Sequence, residues 1–132
     1  MRLMQLIYAS RPFGFDDACL NGILAASRRC NTRDGITGAL ICRADLFLQM
    51  LEGPRDAVTA TFARIVRDDR HVEVMLVSCA DIPARLFPAW AMRDDPARSW
   101  MWSQAQIQAG VLGAAGMDDV RAVFERLALE AR

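Results

Sequence analysis

The sequence contains no lysine at all. That absence removes Schiff-base chemistry, covalent attachment of pyridoxal phosphate and the phosphate-gripping lysine of a Walker A loop together. Tyrosine and histidine are nearly as scarce, with one of each, Tyr8 and His71. With so few players, hydrolytic or metal chemistry is hard to assemble. The four cysteines, Cys19, Cys30, Cys42 and Cys79, are unevenly spaced. They form no C-x-x-C pair and have no second histidine to complete a zinc site, so they read as reduced core thiols. An excess of either charge is also missing: 16 basic and 16 acidic residues give a formal net charge of zero. This argues against a nucleic-acid partner, which would demand a basic surplus. No apolar run reaches the length of about 18 residues that a membrane span needs, and the short run after Arg2 is broken by Gln5. Neither a span nor a signal peptide is expected, and a cytoplasmic address follows by default.

What is present is a regular change of hydrophobic period. At 132 residues the chain reads as one domain, long enough to bury about two thirds of its unfolded surface. "RLMQLIYAS" (2–10) is strand-like. Asp16 or Asp17 can cap a helix on which Leu20, Ile23, Leu24 and Ser27 recur at three and four residues, with Asn31 just beyond its end. After the Asp34-Gly35 turn signal, "ITGALIC" and "LFLQMLE" are two strands divided by Arg43-Ala44-Asp45. Gly53-Pro54 opens a second helix with a buried stripe of Val58, Thr61, Phe62 and Ile65. "VEVMLVSC" (72–79) is a fourth strand, Pro88 to Arg93 a fifth, and "DDPARS" (94–99) the boundary between sheet and tail. The order βαββαββ predicts an α+β, ferredoxin-like mixed sheet with both helices on one face. Glycines 110, 113 and 116 break the tail before a final helix capped at Asp118.

The strands carry apolar groups on both faces. Met4 and Leu6 oppose Leu3 and Ile7; Phe47 and Leu51 oppose Leu48 and Met50. Two helices cover one face only. The other must be covered by the tail, where Ile107, Val111 and Leu112 and then Val120, Val123, Phe124 and Leu127 recur at helical spacing, or by a second subunit. Against this pattern Gln49 is anomalous, because it shares a face with Phe47 and Leu51. Burying an amide without partners costs about 1–3 kcal/mol. First and third strands are neighbours in a split βαβ, so Tyr8 could meet Gln49 beneath the helices, with Ser27 and Asn31 adding polar groups nearby. Spacing alone leaves two readings open. One is a small internal polar network; the other is a polar-edged slot for a flat heterocycle between Ile23 and Ile65.

Six stretches, "LIYAS", "ILAASRRCN", "GITGAL", "FLQMLEGP", "IVRDDRH" and "RLFPAWAM", occur in the order and at nearly the spacing of BLUF domains. The chain resembles that family of flavin-based blue-light sensors from about residue 3 to residue 93. The resemblance implies FAD bound non-covalently between the two helices. It also implies roles: Tyr8 as the photoactive electron and proton donor, and Gln49 as the amide that switches its hydrogen bonds. Asn31 would hold the ring's polar edge with Ser27 nearby. Asp68, Arg70 and His71, at the end of the second helix, would face the ribityl and phosphate side, and Arg28 and Arg29 would add phosphate contacts. Trp90 and Met92 would be the strand-five pair linked to signalling, which of them faces the flavin being left open. Cys42 and Met50 depart from the commoner family letters and should alter packing only. Trp100 and Trp102, just past the matched region, would be competing electron donors if the chain folds back.

The implied division is a sensor at 1–95 and a C-terminal helical cap or output segment at 96–132. The expected function is non-enzymatic photoreception, with the Gln49 change relayed through strand five and the tail to a separate downstream protein, and homodimer or higher homo-oligomer formation open. The alternative is a light-independent small-ligand regulatory module on the same fold. An acylphosphatase-like enzyme would need a phosphate-cradling loop after strand one, where "SRPFGFDD" instead ends in acids.

Overall fold

The computed structural model of the chain describes residues 3–12, 25, 29, 33–43, 46–67, 71–87, 93–96 and 117–130. Strands β1 (Leu3–Pro12) and β3 (Leu46–Pro54) are the central pair of a five-stranded sheet. Outside them lie β4 (His71–Ile82) against β1, and β2 (Thr37–Arg43) against β3, with β5 (Arg93–Pro96) beyond β2. The order β4-β1-β3-β2-β5 has antiparallel neighbours throughout except the parallel β2–β5 pair. Helical backbone at Ala25, Arg29, Arg33 and Asp34 lies between β1 and β2, and helix α1 (Arg55–Val66) between β3 and β4. This is the ferredoxin-like α+β arrangement that the switching periods predict. Its strands β1 and β3 read as near-continuous apolar runs because both of their faces are covered.

One face carries Met4, Leu6, Tyr8, Leu40, Phe47 and Leu51, packed with Val58, Phe62 and Ile65 of α1. Helix α1 starts where Pro54 (φ −56°, ψ 137°) holds an extended backbone, and Asp56 in its first turn and Arg64 in its last complement the helix dipole. Val58 and Thr61 are buried, while Phe62 and Ile65 are half-buried. The other face carries Ile7, Ala9, Ala39, Ile41, Leu48 and Met50 beneath α2 (Met117–Glu130), whose Val120, Val123, Phe124, Leu127 and Ala128 are buried at three- and four-residue intervals. The tail helix therefore covers the second face. Full burial of a side chain such as Phe124 or Leu127 stabilises by roughly 1.5–3 kcal/mol relative to exposure. Among the described residues no helix is long and apolar enough to cross a membrane, and no cluster of potential ligands could hold a metal ion.

Several expectations are revised. The described fifth strand runs Arg93–Pro96, so Asp94, Asp95 and Pro96 pair with Leu40, Ile41 and Cys42 rather than forming a boundary. Acids and a proline suit this position because β5 is an edge, with one side unpaired. Of the span expected for that strand only Arg93 lies among the described residues. Helical backbone is described at Arg33 and Asp34, later in the chain than Asn31, and ends where Gly35 takes φ 71°, a left-handed conformation that glycine adopts without strain. His71 belongs to β4, paired with Pro12, and not to the end of the preceding helix. The β-branched Val72 and Val74 favour strand backbone there. Cys79 is exposed on the outermost strand rather than in the core. Strand β4 also shifts register twice against β1, and Glu73 at the second shift has φ 53°, with its carboxylate held by Arg11 at 3.1 Å.

Gly38 sits where β2 approaches β3 closely. A Cβ at this position would stand 1.9 Å from the carbonyl oxygen of Met50. Gly38→Ala must push β2 off the strand that carries Gln49, so a loss of about 1–3 kcal/mol is expected. Urea unfolding measures it; an unchanged midpoint would contradict this strand spacing.

Candidate functional site

Tyr8 and Gln49 are directly opposite each other in the β1–β3 register. Both point to the α1 face, since residues two apart share a side of a strand. The phenol Oη of Tyr8 donates a hydrogen bond to Oε1 of Gln49. Tyr8 is 0% and Gln49 2% exposed, so the pair is withdrawn from water. In such low-dielectric surroundings the hydrogen bond is electrostatically stronger than in water, and leaving either partner unsatisfied is expensive.

The surroundings are hydrocarbon and aromatic. Phe62 of α1 sets its ring 5.6 Å from that of Tyr8 at 49°, and Ile65, one turn further along, packs against the same cluster. Phe47 and Leu51 flank Gln49 along β3, and Leu40 stands opposite it on β2. The buried polar residues described on this face are Tyr8, Ser10, Gln49 and Thr61, and none is a carboxylate. Ion pairs described on α1 lie at its two ends, with Arg55 on Asp81 at 3.0 Å at its start and a cluster around Asp34 at its last turn. There Asp34 is held by Arg33 at 2.9 Å and approached by Arg64 at 3.6 Å. The hydrogen bond from Arg33 keeps the Asp34 carboxyl below its usual range, with the charges of Arg33 and Arg64 acting in the same direction and desolvation opposing.

The Tyr8–Gln49 pair has the parts of a hydrogen-bond switch. A phenol is a side chain with an accessible one-electron oxidation. An amide carries a donor and an acceptor end of nearly equal size, which can be exchanged at little steric cost. The pair is therefore suited to passing an electron and a proton and to being re-bonded afterwards.

Of the residues singled out in the sequence, the structure brings together Tyr8, Gln49 and Ile65. Arg29 is exposed on helical backbone, and His71 opens β4 at the Pro12 end of β1, the end toward which Tyr8 lies. Ile23, Ser27, Arg28, Asn31, Asp68, Arg70, Trp90 and Met92 lie outside the described residues, as do Trp100 and Trp102. Sequence reasoning placed Phe62 in the helix stripe without assigning it to Tyr8. It also missed a second buried polar pair, Gln5 and Glu52, on the opposite face of the same two strands, where Gln5 Nε2 donates to Glu52 Oε2 at 3.0 Å. Strand parity could have found both residues, since Gln5 alternates with Leu3 and Ile7, and Glu52 with Leu48 and Met50.

Known proteins share this fold. A family model described as BLUF, sensors of blue-light using FAD, matches residues 3–93. The photoactivated adenylate cyclase subunit beta of Euglena gracilis is 37% identical over 91 residues, covering 68% of this chain and 10% of that protein. The chain thus spans about a tenth of that relative's length. Among solved structures, the dark state of BlrB, a BLUF protein, has a TM-score of 0.81 at 32% identity, over 98% of this chain and 97% of that one. BlrP1 of Klebsiella pneumoniae, solved with FMN and cyclic diGMP, has a TM-score of 0.67 at 27% identity, over 85% of this chain and 29% of that one. The matched span contains β1, β3 and the helix that packs on Tyr8, and the chain belongs to the BLUF family of flavin-binding blue-light sensors.

Proposed function

We propose that the chain is a blue-light photoreceptor that holds FAD non-covalently over the Tyr8–Gln49 pair and signals through its C-terminal segment to a separate protein. The observation that carries this reading is the buried hydrogen bond from Tyr8 to Gln49 on an otherwise apolar face. The described half of the site fits a flavin. Phe62, Ile65, Phe47 and Leu40 suit a flat ring, and the Gln49 amide suits a polar ring edge. Ile23, Ser27 and Asn31 are the proposed partners on the first helix, with Arg28, Arg29, Asp68, Arg70 and His71 toward the ribityl and phosphate side.

When bound, the flavin supplies light absorption and a one-electron acceptor. Tyr8 would supply the electron, and losing it would make the phenol proton strongly acidic. That proton would leave along the hydrogen bond already made to Gln49 Oε1. Once electron and proton have both returned to Tyr8, the amide would be left rotated or tautomerised, two arrangements of similar volume that the packed slot can hold alternately. A carboxylate in place of Gln49 would bring a charge into the slot and could not exchange ends.

The sensor is assigned to residues 1–95 and the output to 96–132, with Trp90 and Met92 on the strand-five route. Helix α2, on the far side of the sheet, is the proposed relay. The E. gracilis relative is a cyclase subunit; for this chain a non-enzymatic role and a downstream partner in trans are proposed, with homo-oligomer formation compatible with that role.

Purified protein should be yellow and show a reversible red shift under blue light, and chromatography of the released chromophore should give FAD rather than FMN. A colourless protein would favour the light-independent ligand module. Tyr8→Phe is expected to retain flavin, lose the red-shifted state, and cost about 1–3 kcal/mol through the donor lost to Gln49. A normal photocycle in that variant would remove Tyr8 from the mechanism. Gln49→Leu should likewise bind flavin without the shift, and persistence of the shift would show that the amide is not the switch.

A further inference from the structure

Three residues after Gln49, and facing away from it, Glu52 is a carboxylate with no exposure at all. Its Oε1 accepts the backbone N–H groups of Leu86 and Phe87, each at 2.9 Å. Its Oε2 accepts from Leu86 N–H at 3.0 Å and from Gln5 Nε2 at 3.0 Å. The preceding residue, Arg85, folds back over the same strands. Its Nη1 donates to Thr37 Oγ1 at 2.9 Å and to the backbone carbonyl of Glu52 at 3.1 Å, and its Nη2 to the carbonyl of Gly35 at 2.7 Å. Gln5, Glu52 and Thr37 are successive partners across β1, β3 and β2, so the segment 85–87 is tied to a polar row crossing the sheet. Directly after the tie, the ring of Phe87 meets that of Phe124 of α2 edge-on, with centroids 6.5 Å apart at 84°.

A buried carboxylate is tolerated only when several donors satisfy it, and two consecutive backbone N–H groups make a cradle of that kind. Neighbours on the same face, Leu48 and Met50, show that hydrocarbon serves for packing. What the carboxylate adds is a stiff, planar link between the backbone of β3 and the segment that seats Phe87 against α2. Residue 49 is joined to residue 52 along one hydrogen-bonded strand, and residue 52 through two amides to the segment packed on the tail helix.

We propose that Glu52 is a positioning residue that couples the Gln49 switch to helix α2, along the route Gln49, Glu52, Leu86–Phe87, Phe124. The proposal rests on the photoreceptor reading above and adds to the strand-five route a second one through the back of the sheet. It is distinct from a static clamp. A clamp holds the segment in place in both states, whereas a coupler makes the light response of α2 depend on the carboxylate.

The test uses the full-length flavin-loaded chain. Absorbance and hydrogen exchange by mass spectrometry are followed in the dark and under continuous blue light, over peptides covering 83–87 and 117–130. The native protein should show the red shift together with light-dependent exchange in both peptides. Glu52→Gln replaces one acceptor oxygen by a donor that opposes the backbone amides. It should keep the red shift, exchange 83–87 about tenfold faster in the dark, and lose the light-minus-dark difference over 117–130. Phe87→Leu, which keeps the carboxylate cradle, should keep dark protection at 83–87 and also lose the difference over 117–130. It decides the matter if Glu52→Gln does not fold. A native-sized difference over 117–130 in either folded variant overturns the proposal, as does a native red shift with no response in that peptide. Absence of any red shift in the native protein instead overturns the photoreceptor reading, and the coupling with it.

Discussion

The antiparallel register of β1 against β3 is the constraint on which the rest of the structure depends. It places Tyr8 opposite Gln49 on one face and Gln5 opposite Glu52 on the other, so a single ladder builds both buried polar pairs. Because side chains alternate with a period of two, a slip of β3 by one residue against β1 would turn the amide away from α1 and from the phenol, and drive the carboxylate toward α1. Every apolar side chain of β3 would change sides as well, which makes any such slip costly. The polar pairs are thus held in place by hydrocarbon, chiefly Leu6, Phe47 and Leu51 on one side and Ile7, Leu48 and Met50 on the other.

The two faces are covered by elements of different kinds. Helix α1 follows β3 directly through Pro54 and is bound to the sheet by chain connectivity as well as packing. Helix α2 belongs to the far end of the chain and is held by a seam of small and large apolar side chains, with Phe87 wedged beside Phe124. A helix whose described attachment to the sheet is through packed side chains can shift when the surface beneath it shifts. That difference suits the tail helix to its proposed role as reporter of events in the sheet, while α1 walls the proposed site.

Much of this was legible in the sequence because the informative residues sit in long strands of unmistakable period. The Tyr8–Gln49 juxtaposition followed from alternation and from the neighbour rule of a split βαβ, and the need for the tail or a second subunit to cover a second face followed from apolar residues on both sides of β1 and β3. Other features resisted for physical reasons. Strand β5 is a short edge strand whose Asp94, Asp95 and Pro96 carry loop-like chemistry, so only pairing with β2 reveals it. Cys79 reads as a core residue until β4 is seen to be outermost. Glu52 obeys the same parity that exposed Gln49, but it stands beside Gly53-Pro54, where a charged residue looks like the solvated end of a strand. Its donors are backbone amides of Leu86 and Phe87, and no side-chain pattern encodes those.

The chemistry of the two polar groups on β3 explains why each stands on its own face. A carboxamide holds one donor end and one acceptor end, so its hydrogen bonds can be inverted without a change in shape or charge. An ionised carboxylate accepts at both oxygens, and turning it over changes nothing. Where the proposed cycle needs two states, facing α1, the strand carries the invertible group. Where two backbone amides must stay in one place, beneath Leu86 and Phe87, it carries the group that has no second arrangement. Exchanging the two residues would put a charge in an apolar slot and an unwanted donor against backbone N–H groups, so the placement follows from electrostatics as much as from size.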